Sequence, residues 1–193
     1  MSQDPSPRPP GRAQRRDLGA VEQERFGAGP EIPADRVADP ADVGSIDALV
    51  TALYDVISGP AGPRDWARDR TLYHPDAGWH MPAGPRQDGA GTMVRVLDLD
   101  AYQEQAGRYF AENAFYETEV ARRVERFGCV AQVFSTYESR HAPDDPEPFA
   151  RGINSIQLVH DGSRWWVLSI LWDTEREGQP IPPAYLTSPA AEP

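Results

Sequence analysis

The stretch Phe149–Asp173, FARGINSIQLVHDGSRWWVLSILWD, decides the fold. Two apolar runs of strand length are hinged at His160-Asp161-Gly162-Ser163. An Asp-Gly pair between apolar runs predicts a tight hairpin, because such a turn needs residues that tolerate positive φ. The second run, Trp165 to Trp172, shows no polar-apolar alternation, so both of its faces are expected to be covered. The protein's own core supplies one cover. A second subunit is expected over the other, with Trp166 and Trp172 on one strand face as the dimer contact.

Outward from the hairpin, Tyr116–Phe127, Cys129–His141 and Phe149–His160 read as three long strands before the final run. Upstream, Ile46, Leu49, Val50, Leu53, Val56 and Ile57 fall on one helical face, begun at Ser45 and stopped by Ser58-Gly59-Pro60. A short helix follows Pro63 and carries Trp66, Arg70 and Tyr73 toward one side. Ala77–Met81 reads as a strand with Thr92–Leu97 as its partner, and Asp98 or Asp100 caps a third helix running to about Phe115. Helices followed by a run of strands predict an α+β fold, a curved antiparallel or mixed sheet around three helices that encloses a pocket. Residues 1–42, rich in Pro, Gly, Arg and Asp, read as a disordered or loosely draped arm. The domain then spans 43–175, and the Pro-rich tail 176–193 docks at most through Ile181, Tyr185 and Leu186.

Composition removes several classes of function. The net charge of −11 and the lack of a basic cluster interleaved with aromatics argue against a nucleic-acid partner. All 19 basic residues are Arg, so lysine Schiff-base chemistry is excluded. Cys129 falls in an apolar strand run and reads as a buried, inert thiol. No secretory h-region and no segment of membrane-spanning length is present, so a cytoplasmic, soluble protein with no membrane partner is expected.

Leu49–Ser58, the turn Leu72-Tyr73-His74-Pro75-Asp76-Ala77 and the closing hairpin together resemble the nuclear transport factor 2-like superfamily, in particular its SnoaL-like branch of uncharacterised bacterial members. The resemblance covers about residues 43–175. It implies a cone-shaped fold with a pocket, commonly a homodimer. In the isomerases of that superfamily a carboxylate base stands at the end of the first strand, five residues beyond the turn Asp. Counted from Asp76, that position is Met81, whose thioether abstracts no proton. The resemblance also points to Tyr54, the one Tyr of the first helix, as an oxyanion donor, and to Leu171 as a pocket position near the end of the last strand.

Among groups that could carry chemistry, His80 leads, because imidazole titrates near neutrality. Strand alternation sends His80 and Met81 to opposite faces. Asp76 could orient a histidine, and Glu138, with Arg151 on the neighbouring strand, is either a base beside the cavity or half of a cross-strand ion pair. Arg122 and Arg123 with Glu117, Glu119 and Glu125 read as charge pairing along a solvated strand. Trp66, Tyr73, Met81, Tyr102, Tyr109, Asn154 and Leu171 are the expected pocket wall. No metal or cofactor is expected. The expected function is binding of a small hydrophobic molecule in an aromatic-lined pocket. The alternative is a cofactor-independent isomerase, dehydratase or cyclase of a polyketide- or steroid-like substrate, with His80, Asp76, Tyr54 or Glu138 as acid and base.

Overall fold

The computed structural model describes residues 31–87 and 89–188. Its strands are β1 (Trp79–Pro85), β2 (Thr92–Val94), β3 (Tyr116–Phe127), β4 (Val130–Arg140), β5 (Ala150–His160) and β6 (Trp165–Thr174). Its helices are α1 (Pro40–Val43), α2 (Ile46–Ile57), α3 (Trp66–Thr71) and α4 (Leu99–Glu112). The Asp-Gly hinge closes the β5–β6 hairpin: Gly162 has φ +103°, and the Asp161 carboxylate accepts the Ser163 and Arg164 amides at 2.7 and 2.9 Å. The six strands form one sheet in the order β2-β1-β6-β5-β4-β3. Every neighbouring pair is antiparallel except β1 and β6, which run parallel with His80 opposite Ile170. This is an α+β fold with a mixed sheet.

Ser45 starts α2 by accepting the Ala48 amide at 3.0 Å, and the helix buries Leu49, Val50, Leu53 and Val56 in the core. From the sheet, Ala131, Val133, Tyr137, Ile156, Leu158, Trp165, Val167 and Ile170 join the same cluster. Two irregularities decide which residues join them. The β5–β6 register shifts between Gln157 and Leu158, which pair with Ser169 and Val167, leaving Leu168 unpaired. A bulge of one residue reverses the parity of a strand. Trp165 and Val167 therefore face the helices before the bulge, and Ile170 and Trp172 after it. A second shift in β3, at Val120, does the same: Glu117 and Glu119 lie opposite Ser139 and Tyr137, whereas Arg122 lies opposite Ser135.

The bulge corrects the expected dimer contact, since Trp166 and Trp172 do not share a face. Trp166 is buried by its own chain. Its indole N–H donates to Asp161 at 2.6 Å, and the Arg164 guanidinium lies 3.6 Å from the ring centroid while donating to the carbonyls of Arg36 and Thr71. Residues 1–30 of the expected arm lie outside the described residues. Its remainder is structured: Ala34–Arg36 form a 3-10 turn, and Asp39 caps α1 by accepting the Ala41 amide at 2.9 Å. On the outer sheet face, Ile181 is buried, Tyr185 packs on Phe134, and Thr136 donates to the Tyr185 carbonyl at 2.6 Å. The C-terminal segment thus covers part of the face on which a second subunit was expected. Cys129 is exposed rather than buried, because Gly128, at φ +58°, turns the chain there and places the thiol in the β3–β4 turn. Among the described residues, no helix is long and apolar enough to cross a membrane.

Candidate functional site

Between the helices and the inner sheet face lies a cavity of about 140 Å³. Leu53, Tyr54 and Ile57 of α2 line it, with Tyr73 after α3, His80 of β1, Tyr102 and Phe110 of α4, and Phe115. The strands add Glu117, Tyr137, Asn154, Ile156, Ile170 and Trp172. Two polar constellations interrupt this wall.

At one end, His80 is 2 % exposed, and its pKa is lowered to about 4 by burial. Its Nδ1 lies 2.9 Å from the Gly78 carbonyl, which only accepts, so Nδ1 carries the proton. Nε2 is then the acceptor for the Tyr73 hydroxyl at 3.0 Å. The Tyr102 ring stacks on the imidazole with centroids 3.8 Å apart. Both nitrogens are spent. An imidazole so held is neutral at physiological pH and has no lone pair free for a ligand.

At the other end, Glu117 accepts the Ser139 hydroxyl at 2.8 Å and is also hydrogen-bonded by Asn154. It keeps some accessible surface, since the cavity itself exposes it. Burial nevertheless raises its pKa to about 7, against the lowering effect of those two donors. Beside it runs a chain of hydroxyls. Ser135 gives its one proton to Glu119 at 2.5 Å, so the 2.6 Å contact between Ser135 and Tyr54 has Tyr54 as donor. Tyr54 in turn accepts from the Asn154 amide at 3.2 Å. Its proton is committed inside the protein, and burial, with the nearby Glu117 charge, raises its pKa well above the usual value. Glu119 is balanced by Arg122, which also pairs with Asp47 at 2.7 Å. Among the described residues, no cation pairs with Glu117 in this way. Tyr102 also has a hydroxyl with no hydrogen bond among the described residues.

No protein-family model matches the sequence, and no curated protein does. Solved structures do match. An NTF2-like protein of unknown function from Pseudomonas putida KT2440 is 14% identical, over 74% of this chain and 94% of its own, with a TM-score of 0.52. A proposed dehydratase of the NTF2-like family from Streptomyces avermitilis is 14% identical, over 70% and 96%, with a TM-score of 0.50. A protein of unknown function with a cystatin-like fold from Nostoc punctiforme is 9% identical, over 67% and 88%, at 0.51. This chain has the nuclear transport factor 2-like fold.

Within that NTF2-like fold, five of the eleven residues expected as catalytic or pocket residues converge on the cavity: Tyr54, Tyr73, His80, Tyr102 and Asn154. The others stand elsewhere. Met81 pairs with Leu171 in the β1–β6 register, next to His80 and on the opposite face, and Leu171 is 39% exposed in a groove of the outer face. Trp66 stacks behind the wall on Phe110 at 6.1 Å, and Tyr109 is exposed on α4. Asp76 is exposed in its turn, where its amide meets His74 Nδ1 at 3.3 Å. Glu138 points outward and pairs with Arg140 at 2.6 Å and Arg151 at 3.2 Å, which makes it the cross-strand ion pair. Among the described residues, no group of three His, Cys, Asp or Glu side chains gathers as metal ligands.

The functional group missed from the sequence is Glu117. Strand β3 reads YETEVARRVERF, a polar run whose composition signals solvent. The available signal lay on β4, where Ser135, Tyr137 and Ser139 alternate onto one face and supply hydroxyls to whatever pairs with them.

Proposed function

We propose that this protein binds a small molecule of about one ring in size, mostly apolar, with one polar group directed at Glu117 and Asn154. One observation carries the reading: a cavity of about 140 Å³ walled by aromatic and aliphatic side chains holds a single buried carboxyl at one end. A cavity of roughly 150 Å³ takes benzene, whereas drug-sized ligands need about 300 Å³ or more. A multi-ring steroid- or polyketide-like substrate is therefore disfavoured. The test is titration with benzyl alcohol, followed by NMR at the Trp172 indole and the Asn154 side-chain amide. Saturable shifts at both are expected, and Ile57→Trp, which fills the cavity, is expected to abolish them. Absence of saturable binding by any single-ring compound would remove this reading.

A second reading, cofactor-independent proton transfer, is favoured by Glu117 alone. A general base works best with a pKa near the operating pH, and its carboxyl is pushed up to about 7. In this reading Glu117 takes the role expected of His80, and the substrate is a single-ring enone. Wild type would catalyse exchange of the acidic C–H of 2-cyclohexenone in D₂O, and Glu117→Gln would not. Exchange at equal rates in both would reject the role.

A further inference from the structure

Among the described residues, Glu117 is an anion site without its cation. The nearest guanidinium on its own strand, Arg122, is held by Glu119 and Asp47. Arg64, whose guanidinium lies 4.7 Å from the Phe110 ring centroid, is occupied by the carbonyls of Ile57, Gly59, Pro60 and Gly62. Arg140 and Arg151 pair with Glu138 on the outer face. The one ionisable base in the cavity wall, His80, has both nitrogens committed in its neutral form. A carboxylate withdrawn from water is costly unless it is paired. The Ser139 and Asn154 hydrogen bonds reach it, but no cation in the wall pairs with it.

The rest of the wall suits the missing charge. Half of the lining residues are aromatic, Tyr102, Tyr137 and Trp172 among them, and an aromatic face attracts a cation through its ring quadrupole. The same wall offers no positive group to an anionic ligand. The chain's charge of −11 favours the approach of cations over anions.

We propose that the cavity recognises a small organic cation, a protonated amine on a single ring, with the ammonium on Glu117 and the ring against the aromatic wall. This rests on the small-molecule reading above and names its ligand class. The groups that face Glu117 are Tyr54 from α2, Tyr102 from α4 and Tyr137 from β4, with Glu119 and Arg122 on its own strand. From β5 and β6 the wall receives no charged side chain. The three tyrosines stay protonated, because burial raises each. Asp69, which titrates near 6, lies outside the lining. Glu117 thus governs the dependence of amine binding on pH between about 5 and 8.

The experiment compares benzylamine, benzyl alcohol and benzoate by calorimetry on the full chain in about 0.15 M salt, where surface attraction is screened. At pH 8 benzylamine is expected to bind about tenfold or more tighter than benzyl alcohol, and benzoate weakest, a preference of roughly 1.4 kcal/mol. Glu117→Gln should erase that preference, and a native circular-dichroism spectrum with a cooperative thermal transition reports that the variant is folded. Should that variant fail to fold, wild type at pH 5.5 provides the check. There the amine is still charged and Glu117 is protonated, so benzylamine affinity should fall about fivefold or more. Benzyl alcohol binding as well as benzylamine would overturn the cation while leaving the cavity reading intact. A preference that survives Glu117→Gln, or the fall to pH 5.5, would overturn it too. If none of the three binds, both readings go.

Discussion

The two ends of the cavity are both polar and both buried, yet they differ in what their protons are free to do. At the His80 end every hydrogen-bonding position of the imidazole is occupied, by Gly78 and Tyr73, and burial favours the neutral form. At the Glu117 end the donors Ser139 and Asn154 favour the charged form, and burial opposes them. A residue type suited to catalysis is therefore not yet a reactive group. Its neighbours decide, and here they leave the carboxyl responsive and the imidazole inert.

The difference has a sign that pH can read. Glu117 has its pKa raised from 4.5 to about 7, so its contribution is fully present below pH 4.5 and is lost as pH rises through 7. For His80, lowered from 6.5 to about 4, the contribution is present above pH 6.5 and is lost as pH falls through 4. Each limb is worth as much as about 3 kcal/mol at roughly 1.4 kcal/mol per pH unit. Urea unfolding from pH 4 to pH 8 should show Glu117→Gln gaining on wild type toward the alkaline side. His80→Gln should gain on wild type toward the acid side. Asp69, raised to about 6, tilts the wild-type curve in the same direction as Glu117 but cancels in the differences. Parallel curves for either variant would erase the contrast at that end.

Each end also rests on a glycine, for different reasons. A Cβ on Gly152 would stand 2.5 Å from both the Asp173 carbonyl oxygen and the Tyr137 hydroxyl oxygen. Gly78, at φ +98°, would meet nothing nearer than Leu99 Cβ at 3.3 Å, so its constraint is backbone conformation. Gly152→Ala is expected to cost about 2–3 kcal/mol through overpacking. Gly78→Ala should cost about 1–2 kcal/mol through strain. Denaturant midpoints measure both. A Gly152→Ala milder than Gly78→Ala would mean that the sheet yields more readily than the turn.

Two tyrosines flank His80 and sharpen the contrast further. Tyr73 donates to Nε2, whereas Tyr102 touches the ring by stacking alone. Tyr73→Phe leaves a buried acceptor unsatisfied and should cost about 1–2 kcal/mol. Tyr102→Phe keeps the stack and should stay within about 0.5 kcal/mol. Equal costs would mean that the Tyr73 hydrogen bond contributes little.

The hairpin and the α2 helix were legible because their signals are local: an Asp-Gly turn and a one-face apolar spacing with a serine cap. The bulges at Val120 and Leu168 were not, since an unpaired residue leaves no mark in composition and becomes visible only in the register of the partner strand. The bulge at Leu168 accounts for one misreading: Trp172 turned inward instead of sharing the face of Trp166. The bulge at Val120 brings Arg122 to the side of Glu119, with which it forms one of the charge pairs read from the sequence. Alternation did resolve β1, where His80 and Met81 take opposite faces, but alternation alone could not say which face held the cavity.

The smallest expected effect separates the two faces of the sheet. Glu138 and Glu117 are carboxylates of neighbouring long strands, but Glu138 faces outward between Arg140 and Arg151, and Arg151 continues to Glu175 at 3.5 Å. Such partly exposed pairs gain little, because solvent screens them and ordering two long side chains costs entropy. Glu138→Gln should therefore lose no more than about 1 kcal/mol, and less in high salt. It should leave benzylamine affinity at pH 8 unchanged within about twofold, since no atom of Glu138 lines the cavity. A Glu138→Gln variant that shifted ligand affinity as Glu117→Gln does would mean that the arginine ladder outside communicates with the carboxyl inside. Two short routes join them: Ser139, the neighbour of Glu138, donates to Glu117, and Thr118, the neighbour of Glu117, pairs with Glu138.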